Sequence, residues 1–426
     1  MSLVVAKFGG TSVATPERVL SVAKRLVQRK RSGDKVVAVV SAMGKTTDDL
    51  IALANQVNTN PPAREMDTIL STGELVSMAM VAMAIHSQGE EAISLSGRQV
   101  GLVTNDVHGK AKIREIHAER IKEALEEDKI VIVAGFQGID ANGDVTTLGR
   151  GGSDTTAVAI AAGIHADVCE IYTDVDGVYS ADPRVAPKAQ KIDVISYEEM
   201  LEMAAAGAGV LHKRCVEFAR KYGVTIHCRS SFNDEPGTLV KEYESHMEKA
   251  LVTGVAHDSS EAKFTIRDVP DTEGIAATVF GALADANISV DMIIQNISED
   301  GHADISFTSP KADINRTREV METIVEKTGA AEFIVTEDIA KVSIVGAGMK
   351  AAPGVAAKMF RTLADAGINL SLITTSDIRT SVVIPGDKGP EAVRALHTAF
   401  GLDGDDVFEE TQLSAEELAA KMAKGR

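Results

Sequence analysis

The sequence predicts an α/β protein: a mostly parallel sheet between helices, followed by two smaller ferredoxin-like βαββαβ modules. Three observations predict it. Short apolar runs alternate with amphipathic helical patterns as far as Val240, the pattern of strands joined by crossover helices. A polar stretch, Lys241 to Lys249, then reads as a linker. Beyond it, Gly274–Val290 recurs as Gly354–Leu370, with glycine, phenylalanine and leucine at identical spacing. The boundaries expected are residues 1–245 for the first part and 246–426 for the second. The repeats fall near 262–337 and 340–410, the latter joined by a strand near 251–255.

The elements follow in order. Leu3–Ala6 is a short buried strand, and Pro16 to Gln28 is the helix after it. Further strands are expected at Val36–Val40, Ala92–Leu95, Ile130–Ala134, Glu170–Thr173 and Thr225–Cys228. Helices are expected near Asp48–Val57, Glu65–His86, Ile113–Glu127, Ala157–Ala162, Tyr197–Ala206 and Leu211–Lys221, where apolar residues recur at helical spacing. In the repeats, each helix lies between strands: Ala262–Ile266, Met292–Ile297 and Ala303–Phe307 in the first, Ala340–Ile344, Leu372–Thr375 and Ser381–Ile384 in the second. A second helix closes each, near Asn315–Glu326 and Pro390–Phe400, giving the order β-α-β-β-α.

Composition narrows the function. A chain of 426 residues has room for two to four domains and ample core. A formal net charge of -18 opposes nucleic-acid and anionic-membrane surfaces, because both need basic patches. With 4% aromatic residues and no Trp, base-stacking platforms are not expected either. Cys169, Cys215 and Cys228 fit neither a disulfide framework nor a zinc spacing, and read as reduced thiols. No signal peptide and no apolar run near 18 residues is read, so a cytoplasmic protein is expected.

Two glycine turns carry the chemistry. Thr146-Thr-Leu-Gly-Arg-Gly-Gly-Ser-Asp154 joins a turn to the start of a small apolar helix. A helix N-terminus offers unpaired N–H groups and a partial positive charge, which suits an anion. An N-cap would account for Ser153 or Asp154 alone, but not for Gly-Arg-Gly-Gly in front of them. The second turn, Lys7-Phe-Gly-Gly-Thr-Ser12, stands at the carboxyl end of the first strand, where open α/β sheets bind ligands. A lysine there touches phosphate oxygens as a point charge.

Taken in order, these motifs resemble those of the aspartate kinases, members of the amino-acid kinase family with two C-terminal ACT domains. The resemblance spans nearly all of the chain. It rests on Lys7–Ser12, Val40-Ser-Ala-Met-Gly44, Gly73-Glu74, Gly135-Phe-Gln-Gly138, Thr147–Asp154, Tyr172–Tyr179 with Asp182-Pro-Arg184, and Arg229-Ser-Ser-Phe232. It implies an amino-acid kinase fold followed by tandem ACT modules. It also implies transfer of a phosphoryl group from ATP, with Mg²⁺ arriving on the nucleotide, to the β-carboxylate of L-aspartate. The product would open lysine, threonine and methionine synthesis. No general base is needed, because that carboxylate is already ionised at neutral pH.

The resemblance also implies roles. Lys7 would neutralise the transferring group, Asp154 would orient Lys7, and Gly9 and Gly10 would offer close backbone N–H groups. Phe8, Ser41, Thr173, Asp174, Tyr179 and Arg184 belong with the nucleotide. Arg150 would clamp the α-carboxylate of aspartate, Glu74 would hold its α-ammonium, and Thr47, Gly151, Gly152 and Ser153 would line the same place. No residue is assigned as a metal ligand. Effector binding is implied at Asp271, Gly274, Ala276, Asp291, Gln295 and Asn296, with Asn369 and Leu370 the matching edge of the second repeat. The implied effectors are lysine, threonine or both, the implied assembly is at least a dimer through the ACT modules, and Met247 is placed to start a short regulatory subunit. One departure stands out. Relatives commonly read Gly-Ala-Lys-Val-Leu-His-Pro where this chain reads Gly207-Ala-Gly-Val-Leu-His-Lys213, so Gly209 replaces a lysine expected to touch phosphate. Other acceptors (glutamate, N-acetylglutamate, UMP) and a catalytically silent amino-acid sensor remain the alternatives.

Overall fold

The computed structural model describes residues 2–242, 251–297 and 301–404. The chain forms two compact units. The first holds the chain to Val178, Lys191–Ala205 and the stretch from Gly209; the second holds Tyr179–Gln190, Ala206–Ala208 and the remainder.

The first unit is built on an eight-stranded sheet. Its strands run in the order Val194–Ser196, Thr238–Lys241, Ile226–Ser230, Val168–Thr173, Leu3–Phe8, Lys35–Val40, Ile130–Ala134 and Ala92–Leu95. Pairing is parallel except where Ile226–Ser230 meets Thr238–Lys241. Leu3–Phe8 lies centrally, with Lys7 opposite Val39 on one side and Ile171 on the other. Helices cover both faces, so the central strands read as continuous Val and Ile runs rather than alternating ones. On one face, Val19, Val22, Ala23, Leu26 and Val27 of the helix Pro16–Arg31 pack with Ala6, Phe8, Val36, Ala38 and Val40. That helix begins with Thr15 as N-cap and Pro16 in its first turn, both good start signals. The helix Gly152–Ile164 is buried almost all round, which explains why it lacks an amphipathic stripe.

Several expectations need correction. Glu65–His86 is not one helix but two, Ala63–Leu70 and Thr72–His86, meeting at Ser71. Ile113–Glu127 is not wholly helical: Ile113–Ile116 is a strand, and the helix is Glu119–Glu126. The two isoleucines pair in a side sheet of order Ile113–Ile116, Leu102–Thr104, Gln137–Ile139, Val145–Thr147. Ala118 then turns the chain in the left-handed region at φ 35°. One 18-residue window across Ala63–Leu70 and Thr72–His86 reaches a mean hydropathy of 1.6, enough by length and composition alone to cross a membrane. Here Thr72–His86 serves as a core helix, with Val81 and Ile85 buried against the helix Pro16–Arg31 and the sheet.

The second unit contains two four-stranded antiparallel sheets. The first has the order Ile293–Ile297, His302–Pro310, Glu261–Pro270, Glu332–Thr336, and its core joins Phe264, Ile266 and Phe307 to Val279 and Leu283 of the helix Ile275–Asp285. The second has the order Gly254–Asp258, Ile339–Val345, Arg379–Pro385, Leu372–Thr375. The strand expected near 251–255 is thus Gly254–Asp258, pairing with Ile339–Val345. Between the modules, Lys341 is buried with its Nζ 2.9 Å from Glu261 and 2.5 Å from Asp291. Met247 lies outside the described residues.

Candidate active site

Strand alternation decides what Lys7 can do. Val4, Ala6 and Phe8 enter the core on one face, so Lys7 leaves on the other. There its Nζ lies 2.6 Å from the Asp154 carboxylate, both side chains being largely buried. Asp154 sits in the first turn of Gly152–Ile164, where a carboxylate suits the helix dipole. The turn before it needs its glycines. Gly149 and Gly151 take φ 74° and 70°. A side chain on Gly151 would strike the His212 ring, and one on Gly152 the Phe136 ring. Phe136 is itself left-handed at φ 69°, costly backbone of the kind found at functional sites. Arg150 stands exposed on the turn, and Ser153 is buried behind it.

A second group meets at the strand ends. A side chain on Gly10 would strike the Ala42 carbonyl, and one on Gly73 would strike Ala42 itself. The Ser41 N–H donates to the Phe8 carbonyl at 3.1 Å. The Ala42 N–H donates to Glu74 Oε1 at 3.0 Å. Glu74 is 3% exposed, and its Oε2 is buried with no hydrogen-bond partner among the described residues. Burial pushes this carboxyl up to about 7, despite the Ala42 N–H that favours its charged form. A buried acceptor left over in this way is what an incoming ammonium would satisfy.

The remaining expected residues fall as follows. The Phe8 side chain stacks on Tyr172 in the core, at 4.7 Å between ring centres, so only its backbone reaches the strand end. The Gly9 N–H already donates to the Tyr172 carbonyl at 3.3 Å, which commits a donor expected to be open. Thr47 is half-buried in the first turn of the helix Thr46–Val57. Thr173 ends its strand and bonds Asp174 Oδ1 at 3.0 Å. Tyr179 and Arg184 belong to the second unit, where Arg184 grips Asp182 at 2.7 Å.

Gly274 caps the helix Ile275–Asp285 at φ 85°, with Ala276 in its first turn and Asp271 exposed just before. Gln295 and Asn296 are exposed on their strand, and Asn369 is exposed beside the half-buried Leu370. A groove of about 550 Å³ brings Asn296 and Leu370 together with Lys263, Arg267 and Asp304, but its lining does not include Asp271, Gly274 or Ala276. The Asp291 carboxylate is engaged by Lys341. Among the described residues, no group of three His, Cys, Asp or Glu side chains is placed to hold a metal ion.

Sequence reasoning missed His212. Its ring lies against Gly151, burial lowers its pKa, and the charges of Asp154 and Arg150 act on it. It caps the helix Lys213–Tyr222, accepting from the Arg214 N–H at 3.3 Å. The signal was present in Leu211-His212-Lys213, but only packing brings it to the turn.

Comparison with known proteins places the chain in a family. Residues 2–230 match the amino acid kinase family, and residues 264–327 and 342–400 each match an ACT domain. The aspartokinase of Mycolicibacterium smegmatis is 54% identical over 411 residues, covering 95% of this chain and 98% of that one. The chain belongs to the aspartokinase family. It is therefore a phosphotransferase. The E. coli aspartokinase III solved with aspartate and ADP is 28% identical at a TM-score of 0.81, covering 93% of this chain and 99% of that one. The same E. coli enzyme solved with lysine and aspartate is 27% identical at a TM-score of 0.74, covering 94% and 99%.

Proposed function

We propose that the chain phosphorylates the β-carboxylate of L-aspartate with ATP, and that lysine, threonine or the two together inhibit it through the ACT modules. The orphaned Glu74 oxygen carries this reading. A buried carboxylate with an open acceptor would take the α-ammonium of an amino acid, and the exposed guanidinium of Arg150 would take its α-carboxylate. A β-carboxylate oxygen then attacks the γ-phosphorus, the bond to the bridging oxygen breaks, and ADP leaves. Attacking and leaving groups are both anionic, so catalysis is positioning and charge neutralisation. Lys7 supplies the charge and Asp154 holds it in place. Mg²⁺ enters with ATP and is held mainly by its phosphates. The E. coli relative solved with lysine supports lysine as an effector here. Assembly into at least a dimer through the ACT modules is part of the same proposal.

A hydroxamate assay tests it, with hydroxylamine trapping the acyl phosphate. Purified chain would receive Mg-ATP and aspartate, glutamate or N-acetylglutamate, with and without lysine and threonine. Signal with aspartate alone, suppressed by an effector, is expected. Signal indifferent to both effectors would remove the feedback claim. No signal from a folded chain that still binds lysine or threonine would point to an amino-acid sensor instead.

A further inference from the structure

We infer that Asp67 and Arg214 are positioning residues that hold the Gly149–Gly151 turn, and so aim Arg150 at the substrate carboxylate. The inference rests on the proposed reading of Arg150 as the carboxylate clamp.

Asp67 lies on the helix Ala63–Leu70 and is 0% exposed. A buried carboxylate is costly unless its lone pairs are filled. Here they are filled from two places, Thr147 on the approach to the turn and the neighbouring loop at His108 and Gly109. The Thr147 N–H donates to Oδ2 at 3.0 Å, and the Thr147 hydroxyl donates to Oδ1 at 2.6 Å. The Gly109 N–H donates to both oxygens at 3.0 Å, and His108 Nδ1 lies 2.8 Å from Oδ2. Arg214, on the helix Lys213–Tyr222, closes the other side. Its Nη1 donates to the Leu148 carbonyl at 2.8 Å, and its Nη2 to the Ala111 carbonyl at 2.7 Å.

The backbone completes the clamp. The Ala111 N–H donates to the Thr147 carbonyl at 3.0 Å, and the Leu148 N–H to the Phe136 carbonyl at 2.8 Å. All four backbone polar groups of Thr147 and Leu148 are therefore engaged. Gly149 follows directly, so close to the Gly109 carbonyl that a side chain there would collide with it. On the far side, the Gly152 N–H returns to the Gly149 carbonyl at 2.9 Å. The Arg150 backbone is pinned before and after, while its side chain stays exposed. Neither Asp67 nor Arg214 needs to touch substrate, because a misplacement of about 1 Å in a positioning group costs on the order of 10² in rate.

The test is steady-state kinetics on the full chain, with aspartate and ATP varied separately. Asp67→Asn puts an NH₂ among N–H donors and is expected to raise KM for aspartate at least about tenfold, with KM for ATP within about twofold. Thr147→Val keeps the shape but loses the 2.6 Å bond, and should raise KM for aspartate several-fold. Arg214→Met should act in the same direction. In an Arg150→Met background, Asp67→Asn should add little, since its effect runs through that side chain. Should Asp67→Asn fail to fold, Thr147→Val and Arg214→Met decide. The inference is overturned if Arg150→Met raises KM for aspartate while the clamp variants leave it unchanged. It is also overturned if they lower kcat alone in step with thermal stability. If Arg150→Met itself leaves KM for aspartate unchanged, the carboxylate reading fails instead.

Discussion

Glu74 is a carboxyl whose protonation bears on stability and, on the proposed reading, on binding. Its folded pKa is raised to about 7, against an ordinary value near 4.3 in an unfolded chain. The native state thus holds the extra proton between those values, and its stability falls as pH rises from about 4 to about 7. Glu74→Gln should remove this penalty. Thermal melts are expected to show the variant more stable at pH 8, by up to about 3 kcal/mol, with the gap closing below pH 5. Binding runs the other way, because only the ionised form holds an ammonium. The kcat/KM for aspartate should fall as pH drops through about 7, and the variant should lose that limb. A pH profile without the limb in the wild-type chain would remove Glu74 from substrate binding.

Gly209 is the second informative residue. It is exposed, and a side chain there would meet nothing within 4 Å. Gly209→Lys is therefore tolerated sterically and supplies the cation that the family resemblance implies there. A lower KM for ATP, by several-fold, with KM for aspartate unchanged, is the expected result. An unchanged KM for ATP would mean that another group, Lys213 among the candidates, already serves the phosphates. Lys7, Arg150 and Asp154 were legible in the sequence because their signal is local: charge, glycine and helix start lie within a few residues. Asp67 and His212 were not, since their significance lies in partners tens of residues away.

The element that matters most is the turn between the strand Val145–Thr147 and the helix Gly152–Ile164. Its glycines are required on two counts at once, left-handed backbone and the nearness of His212 to Gly151. Gly151→Ala would incur about 1–2 kcal/mol of backbone strain in addition to a collision with that ring. KM for aspartate should rise by an order of magnitude or more, while circular dichroism stays near that of the parent. Normal KM in this variant would show that the turn can move without loss of binding. The neighbouring elements show where periodicity misleads. Ile113–Ile116 carries apolar residues at a spacing a helix also accepts, and only the partner strand Leu102–Thr104 makes it a strand.

At the level of the whole chain, the repeat predicts two modules, and the buried Lys341 shows how they are joined. Its two carboxylate partners come from the first module and its own strand from the second. Lys341→Met would leave Glu261 and Asp291 without their cation, at a cost of about 3 kcal/mol. A lowered melting temperature and a weakened effector response are expected together. A melt unchanged from wild type would show that the apolar contacts of Met292, Ile339, Leu372 and Val383 suffice.

By itself the sequence determined the fold class, the duplication and the family, and it singled out Lys7, Arg150 and Asp154. Those features are written in local patterns: periodicity, glycine turns, and charges placed beside them. Tertiary structure alone decided which buried carboxylate keeps an open oxygen, what holds the Arg150 turn, and what seals the two modules together. Each depends on desolvation and on hydrogen-bond partners far apart in the chain, and neither quantity exists until the chain is packed.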